Sequence, residues 1–500
     1  MNFSFKLLVA LLSCQLSFCS VFINERLPLI SSLYFHLSLE KFIPFCGSLE
    51  TLGKIKDVIE SKEKGAYLRF EDEDMHLLSG VTALSNDLKS AVALVHKNII
   101  KALPLYSKDI GIFEGGVLPV CCKLDSTLES TNILKKVDKL AGGKIQRVYS
   151  PFALHYSAVN YTKDCLNFLK LLKKNNCCLF VGHEDIPRDI VEILFGKSCN
   201  VITISDSSNY SNLDILEKAC LENIVDDGKY KIIVISTGPM GRALQKRLWD
   251  RLDNVFLFDL DSLICSLCGL KKNDLIEDEG FNYKKFLDYL SGDIKILCTA
   301  AVLNKHFEGR KAEYIKSIKI VSEFGYESYI VEACKSGNTF LDDYSSHVFY
   351  SNVNNPRLRN KGVNEGRSLK EAFNHFDFND NDMIIKITGR YFFEDDSFIS
   401  LVENNPDVDA FVKIVSNLPG YIWSFSGCFA LRSKYFKDML YSLDFAKMEK
   451  EMIDIERELL CFILRLESEG AKIMYVDKLN FASCTYFGGG GYNPKRLTHW

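Results

Sequence analysis

Short apolar runs rich in β-branched residues recur along the chain at 177–182 (CCLFVG), 201–206 (VITISD), 231–237 (KIIVIST) and 255–260 (VFLFDL). Between them lie segments with apolar positions at helical spacing, over 212–223 and 241–252. Strand and helix in alternation predict a parallel sheet covered by helices on both faces. After an acidic stretch, IEDEG at 276–280, the pattern starts again at Ile294 with KILCTAAV. A helix is expected over 312–324, strands over 328–333 and 347–352, a helix over 367–376 and a strand over 382–388. Strands near DAFVKIV and GCFALRS follow, then one long helix over 445–467 and a strand over 472–477. The predicted fold class is therefore α/β, with two Rossmann-like parallel-sheet sandwich domains in tandem over about 45–290 and 292–490.

Length agrees with that division, because 500 residues exceed the ~250–300 at which single cores stop growing. Hydrophobic residues form 47% and charged residues 25% of the chain, the balance of a globular protein. A net charge of −4 gives no basic field, so nucleic acid has no electrostatic support as a partner. Residues 1–20 place Lys6 before an apolar run and end in the small residues Ser17, Cys19 and Ser20. That reads as a signal peptide or short anchor, a candidate for membrane association, with an apolar first helix as the alternative. No other apolar run reaches the ~20 residues of a spanning helix. The 17 cysteines are scattered and include the adjacent pairs Cys121-Cys122 and Cys177-Cys178, which is poor spacing for a disulfide framework. Buried free thiols fit a reducing compartment, in opposition to the signal-like start. Cys265 and Cys268 form a lone CxxC with nothing to complete a zinc site.

Two segments of the first domain carry candidate chemistry. YLRFEDED ends a β-rich run at Arg69 and Phe70 and follows it with Glu71, Asp72, Glu73 and Asp74. Asp72 and Asp74, two apart after a strand, can aim at one Mg²⁺ or Mn²⁺ and steady a diphosphate leaving group. The other reading is a solvated acidic helix start. STGPMGRALQKRLW runs a strand into Gly238, Pro239 and Gly241 before a helix, which suits a backbone anion site or simply a tight turn that needs glycine. Asp259 and Asp261 end the next strand. His183 and Glu184, in GHED, are candidate bases toward an acceptor hydroxyl, against the plainer reading of a structural histidine.

These segments resemble the GT-D glycosyltransferases. RFEDED is similar to their RFGDGE signature, and GPMGRAL followed by FLFDLDS to their GPTA-type turn and later D-x-G-[HS] segment, over residues 50–275. The resemblance implies metal and nucleotide-sugar binding at Asp72 and Asp74, Arg69 beside them, a UDP-sugar donor and a glycan or glycoconjugate acceptor. Asp74 stands where the family has glutamate, and Glu71 and Glu73 where it has glycine.

In the second domain, Glu332 ends a strand where an acid commonly meets a ribose hydroxyl. NKGVNEGRSL (360–369) and IIKITGRYFF (384–393) resemble a nucleotide-diphosphosugar transferase domain of the GT-A kind, over 294–490. Such domains usually carry Asp-x-Asp at the end of the fourth strand. Here that place reads Lys386-Ile387-Thr388-Gly389-Arg390, so fixed cations, with Lys361 and Arg367 nearby in sequence, are expected to hold the donor diphosphate without a metal. Internal ion pairing of Lys386 and Arg390 is the alternative. Glu456, at the start of a late helix, is a candidate general base or a solvated carboxylate.

Overall fold

A computed structural model of the chain describes residues 33–38, 41–70, 74, 83–103, 135–175, 177–205, 213–224, 227–260, 262–270, 280–302, 307–333, 339–418, 421–483 and 498–499. The chain separates into two compact units, Met1–Leu287 and Asp288–Trp500, and each is an α/β sandwich.

The strands of the first unit are β1 (Leu33–Ser38), β2 (Lys41–Cys46), β3 (Gly65–Arg69), β4 (Ile99–Ala102), β5 (Val148–Tyr149), β6 (Cys177–His183), β7 (Asn200–Ile204), β8 (Lys231–Ser236) and β9 (Val255–Asp259). Among the described residues they form one sheet in the order β1-β2-β5-β4-β3-β9-β8-β6-β7. All its pairings are parallel except β1 with β2. Parallel strands covered on both faces should be apolar throughout, and every residue of β3 and β9 is buried. Helices Ala83–Ala93 and Gly238–Arg251 close one face through Leu88, Val92, Leu244 and Leu248. Each such side chain, fully buried, contributes roughly 1.5–3 kcal/mol. The chain order runs from β3 to β4 and β5 on one side, whereas β9 lies on the other. The boundary between β3 and β9 is thus a topological switch point, where open α/β sheets place ligands.

The second unit contains β10 (Ile294–Ala300), β11 (Ser328–Glu332), β12 (His347–Tyr350), β13 (Met383–Thr388), β14 (Phe392–Phe393), β15 (Ala410–Val412), β16 (Ile414–Leu418), β17 (Tyr421–Ser424), β18 (Cys428–Arg432), β19 (Ile473–Tyr475), β20 (Phe481–Ser483) and β21 (Thr498–His499). The main sheet runs β12-β11-β10-β13-β18-β15-β19. It is mixed, because β18 is antiparallel to both β13 and β15. The switch point lies between β10 and β13, whose register ends at Thr299 opposite Thr388. Alternation along β13 sends Ile385 and Ile387 to one apolar core and Ile384 to the other. Lys386 shares its parity with Ile384, so it enters the face covered by helices Lys361–Phe376 and Ile455–Ser468.

The single helix expected over 445–467 is two, Phe445–Glu451 and Ile455–Ser468. Met452 takes a left-handed conformation (φ 55°) that ends the first, a break that apolar spacing does not reveal. Helix Lys361–Phe376 begins six residues before its expected start because the Asn360 side chain caps it at the Gly362 amide (3.0 Å). The N-terminal twenty residues lie outside the described residues, and among the described ones no helix is long and apolar enough to cross a membrane.

Gly292 leads into β10 where the backbone of 381–382 crosses it, and Asp382 accepts the Asp293 amide at 2.9 Å. A Cβ on Gly292 would sit 1.8 Å from the Asn381 carbonyl oxygen. Gly292→Ala is expected to destabilise the second unit by about 2–3 kcal/mol, read as a lower urea midpoint. An unchanged midpoint would show that this crossing yields.

Candidate functional site

At the first switch point, the β3–β9 ladder ends at Tyr67 opposite Phe258. Beyond it the helix Gly238–Arg251 fills the gap with two side chains one turn apart. Gln245 donates to the carbonyls of Tyr67 (3.0 Å) and Leu257 (3.3 Å). Arg242 donates from Nε to the Arg69 carbonyl. The same Nε lies 3.2 Å from Asp259 Oδ2 and 3.5 Å from Asp74 Oδ2. Arg69 in turn meets Asp259 Oδ1 at 3.4 Å. Two cations and two anions therefore close on one another, with Arg242 and Asp74 fully buried and Asp259 and Arg69 nearly so.

Gly238 has φ +59° and starts the helix, followed by Pro239. Gly241 is required by close approach, since a Cβ there would meet Thr237 Oγ1 at 2.8 Å. The GPMG turn thus fixes where Arg242 enters the sheet. RFEDED, GPMGR and FLFDL, far apart in sequence, meet at one point. Arg242 is the member that sequence reasoning missed. It stood inside a quoted motif, and the signal was a charged residue on a helix whose neighbours Met240, Ala243 and Leu244 are all core residues.

Asp72 and Asp261 lie outside the described residues. A divalent ion needs oxygen ligands that face it. Asp74 is enclosed and faces a guanidinium, so as placed it does not fit a metal ligand. Among the described residues no group of three or more His, Cys, Asp or Glu is gathered closely enough to hold a metal. His183 ends β6 and Glu184 follows it, two strands from β9 and so roughly 10 Å from this cluster. His183 Nδ1 accepts the Asp185 amide at 3.3 Å and lies 3.2 Å from its carboxylate, a local turn. Glu184 is exposed, its amide bound to Ile204. These two are not brought to the Arg242 cluster.

In the second unit Lys386 is only 1% exposed. Its Nζ meets Glu365 Oε1 at 2.6 Å and donates to Thr388 Oγ1 (3.1 Å) and the Ser426 carbonyl (2.7 Å). Its charge is answered inside the protein, by the internal ion pairing that is the alternative to a role on a diphosphate. The partner, Glu365, went unselected in the sequence. A lone lysine in the apolar run MIIKIT was the signal, because a buried ammonium requires a buried anion. Thr299 Oγ1 also reaches Glu365, at 3.4 Å.

Ser426 donates its hydroxyl to Glu456 Oε1 at 2.7 Å. Burial pushes the Glu456 carboxyl above the usual value of 4.5; Glu365 adds to this, while Ser426 and Lys386 oppose it. Lys386, Thr388, Glu365, Ser426 and Glu456 thus form one connected group at the carboxyl end of β13. Arg390 follows directly. It lies over Tyr391 (5.4 Å), and among the described residues its buried Nε has no acceptor and its guanidinium no carboxylate. Lys361 is exposed at the start of its helix. Glu332 is fully buried and accepts the Val302 amide at 2.9 Å.

No protein-family model matches the chain, and no curated protein matches it. Among solved structures it is similar to two of domain of unknown function 1792, one of them described as having a distinct glycosyltransferase fold. Both show 15% identity and a TM-score of 0.30 over 43% of this chain and 77% of theirs. It is also similar to a new glycosyltransferase (DUF1792) from Streptococcus sanguinis, at 16% identity and a TM-score of 0.30 over 43% of this chain and 80% of that one. A score of 0.30 is too low to transfer fold or activity to this chain.

Arg242→Met leaves two buried carboxylates facing each other and should cost roughly 3–5 kcal/mol in urea unfolding. Arg242→Met with Asp259→Asn should recover part of that loss. No recovery would show that Arg242 acts by shape alone. Glu456 yields a pH test of opposite sign to an ordinary ion-paired carboxylate. Its folded value is raised, so the stability it contributes is full below the usual glutamate value and is lost as pH rises through the folded value. Glu456→Gln should therefore gain stability relative to the native chain as pH rises above about 4.5. A flat difference between pH 4 and 8 would refute it.

Proposed function

We propose that the chain is a glycosyltransferase that moves a sugar from a nucleotide-diphosphate sugar, UDP-linked in this reading, to a glycan or glycoconjugate acceptor. The observation that carries it is the side-chain group at the end of β13, where Arg390, whose guanidinium makes no ion pair among the described residues, follows Thr388, which is tied through Lys386 and Ser426 to Glu456. A diphosphate is the ligand that such a guanidinium recognises, through paired charge-assisted hydrogen bonds. A carboxyl with a raised affinity for protons is suited to take one from an acceptor hydroxyl. In this reading Lys386 is a positioning residue: it meets Glu365 and the Ser426 carbonyl, and Ser426 orients Glu456. Lys361 and Arg367 lie outside that network.

The first unit carries the GT-D resemblance. The Mn²⁺ or Mg²⁺ expected there rests on Asp72, since Asp74 is engaged by Arg242. A second reading has a specific observation in its favour. Asp74 and Lys386, two of the expected ligand-binding charges, are both closed in internal ion pairs, as suits a non-catalytic protein that binds nucleotide or glycan.

The full chain with a panel of UDP-sugars, with Mn²⁺, Mg²⁺ or EDTA, separates the readings. Arg390→Ala should weaken donor binding about ten- to a hundredfold, while Glu456→Gln should keep donor affinity and lose turnover. Binding without turnover in the native chain favours the second reading. Absence of binding, hydrolysis and transfer with every donor sinks the first.

A further inference from the structure

The first unit contains a cavity of about 800 Å³ away from the Arg242 cluster. Its walls come largely from the loops leading into β4 (94–98) and β5 (143–147), which parallel pairing places at the opposite end of the sheet from the strand ends just described. Lys54, Lys97, Lys101, Lys144 and Arg147 line it, with His96, and none of the described lining residues is a carboxylate. Five cations sharing a concave surface repel one another, and the low-dielectric walls concentrate their field. Such an arrangement is stable as a binding surface when an anion completes it.

Two of the five have partners at the rim: Lys97 pairs with Glu63 at 2.8 Å and Arg147 with Glu50 at 3.5 Å. Among the described residues Lys54 and Lys144 make no ion pair. Lys101 differs again, because it is only 5% exposed. An ammonium has three N–H donors, and the one acceptor it meets among the described residues is the carbonyl of Val92, near the end of helix Ala83–Ala93. Burial lowers its affinity for protons to a value of about 8, an effect that Asp138 opposes. Lys101 is thus a buried ammonium with donors to give and no ion pair among the described residues, at the wall of a cavity whose described lining residues include no carboxylate.

We propose that this cavity binds a small multiply charged anion of the phosphate or diphosphate class, with Lys101 at its floor and Lys54 and Lys144 at its mouth. The site lies in the first unit, and its existence does not depend on the proposed transfer activity. A soluble phosphate compound and a lipid phosphate headgroup share this chemistry. The concave form admits either.

Inorganic pyrophosphate titrated calorimetrically into the full chain provides the test, with vesicles of phosphatidylcholine containing phosphatidic acid as a parallel arm. Pyrophosphate should bind, and more weakly as salt rises. Lys54→Gln with Lys144→Gln, both at accessible positions, should weaken it at least tenfold and leave binding of a UDP-sugar unchanged. Lys101→Met should abolish it; the mouth variant keeps the proposal testable should Lys101→Met not fold. Binding to phosphatidic acid vesicles and not to pyrophosphate identifies a headgroup as the anion. The proposal is overturned by absence of binding in both arms, or by equal affinity in the native chain and the mouth variant. It is equally overturned if the mouth variant loses pyrophosphate and UDP-sugar together, since both anions would then share one site.

Discussion

A full positive charge in a dry interior must be answered by the protein itself, and the end of the first sheet is organised around that demand. Arg242 reaches between β3 and β9 where their ladder stops, and its guanidinium takes over the Arg69 carbonyl that the ladder leaves behind. Asp74 and Asp259 neutralise it, and Asp259 is shared with Arg69. Desolvating four charges costs several kcal/mol per ion before their attraction is counted. The arrangement therefore adds little net stability over an apolar core. What it supplies is a fixed position for three segments, because removing any member leaves an unanswered buried charge.

The second unit solves the same problem at its own switch point with different residues. Lys386 lies on β13 in place of an apolar residue and is met by Glu365 from a helix. The ammonium also gathers Thr388 and the Ser426 carbonyl, so one buried lysine joins strand, helix and turn. Glu456 takes its position from this group through the Ser426 hydroxyl. Its raised proton affinity has burial as the leading cause and Glu365 as an additional one.

Much of this was legible in the chain, and what was not has identifiable reasons. The strand runs from 177 to 260 and from 294 to 388 follow from apolar periodicity, because buried parallel strands leave a continuous signal. The mixed character of the second sheet was not legible, since direction depends on how long connections cross and not on residue type. The break at Met452 was hidden because apolar spacing continues through it. At the sites, the converging motifs were readable, but the counter-charges were not. Arg242 and Glu365 both lay within quoted segments and passed unselected, because a helix residue's partner is set by the strand it packs on.

That division also separates two kinds of charge in the molecule. Lys386, Arg242, Asp74 and Asp259 have partners within the fold and stand at its two switch points. Arg390, Lys54 and Lys144 make no ion pair among the described residues. Charges of the first kind resist replacement because a partner is left buried and unanswered. Charges of the second kind can be replaced without leaving a partner buried and unanswered among the described residues, and the proposed ligands are anions that such charges would attract. Motif reading favours the first kind, since they sit in the recognisable strand ends. In the proposed readings, the chemistry with a ligand belongs to the second, which shows no pattern with its neighbours in sequence and stands out only when every buried charge has been matched to its partner.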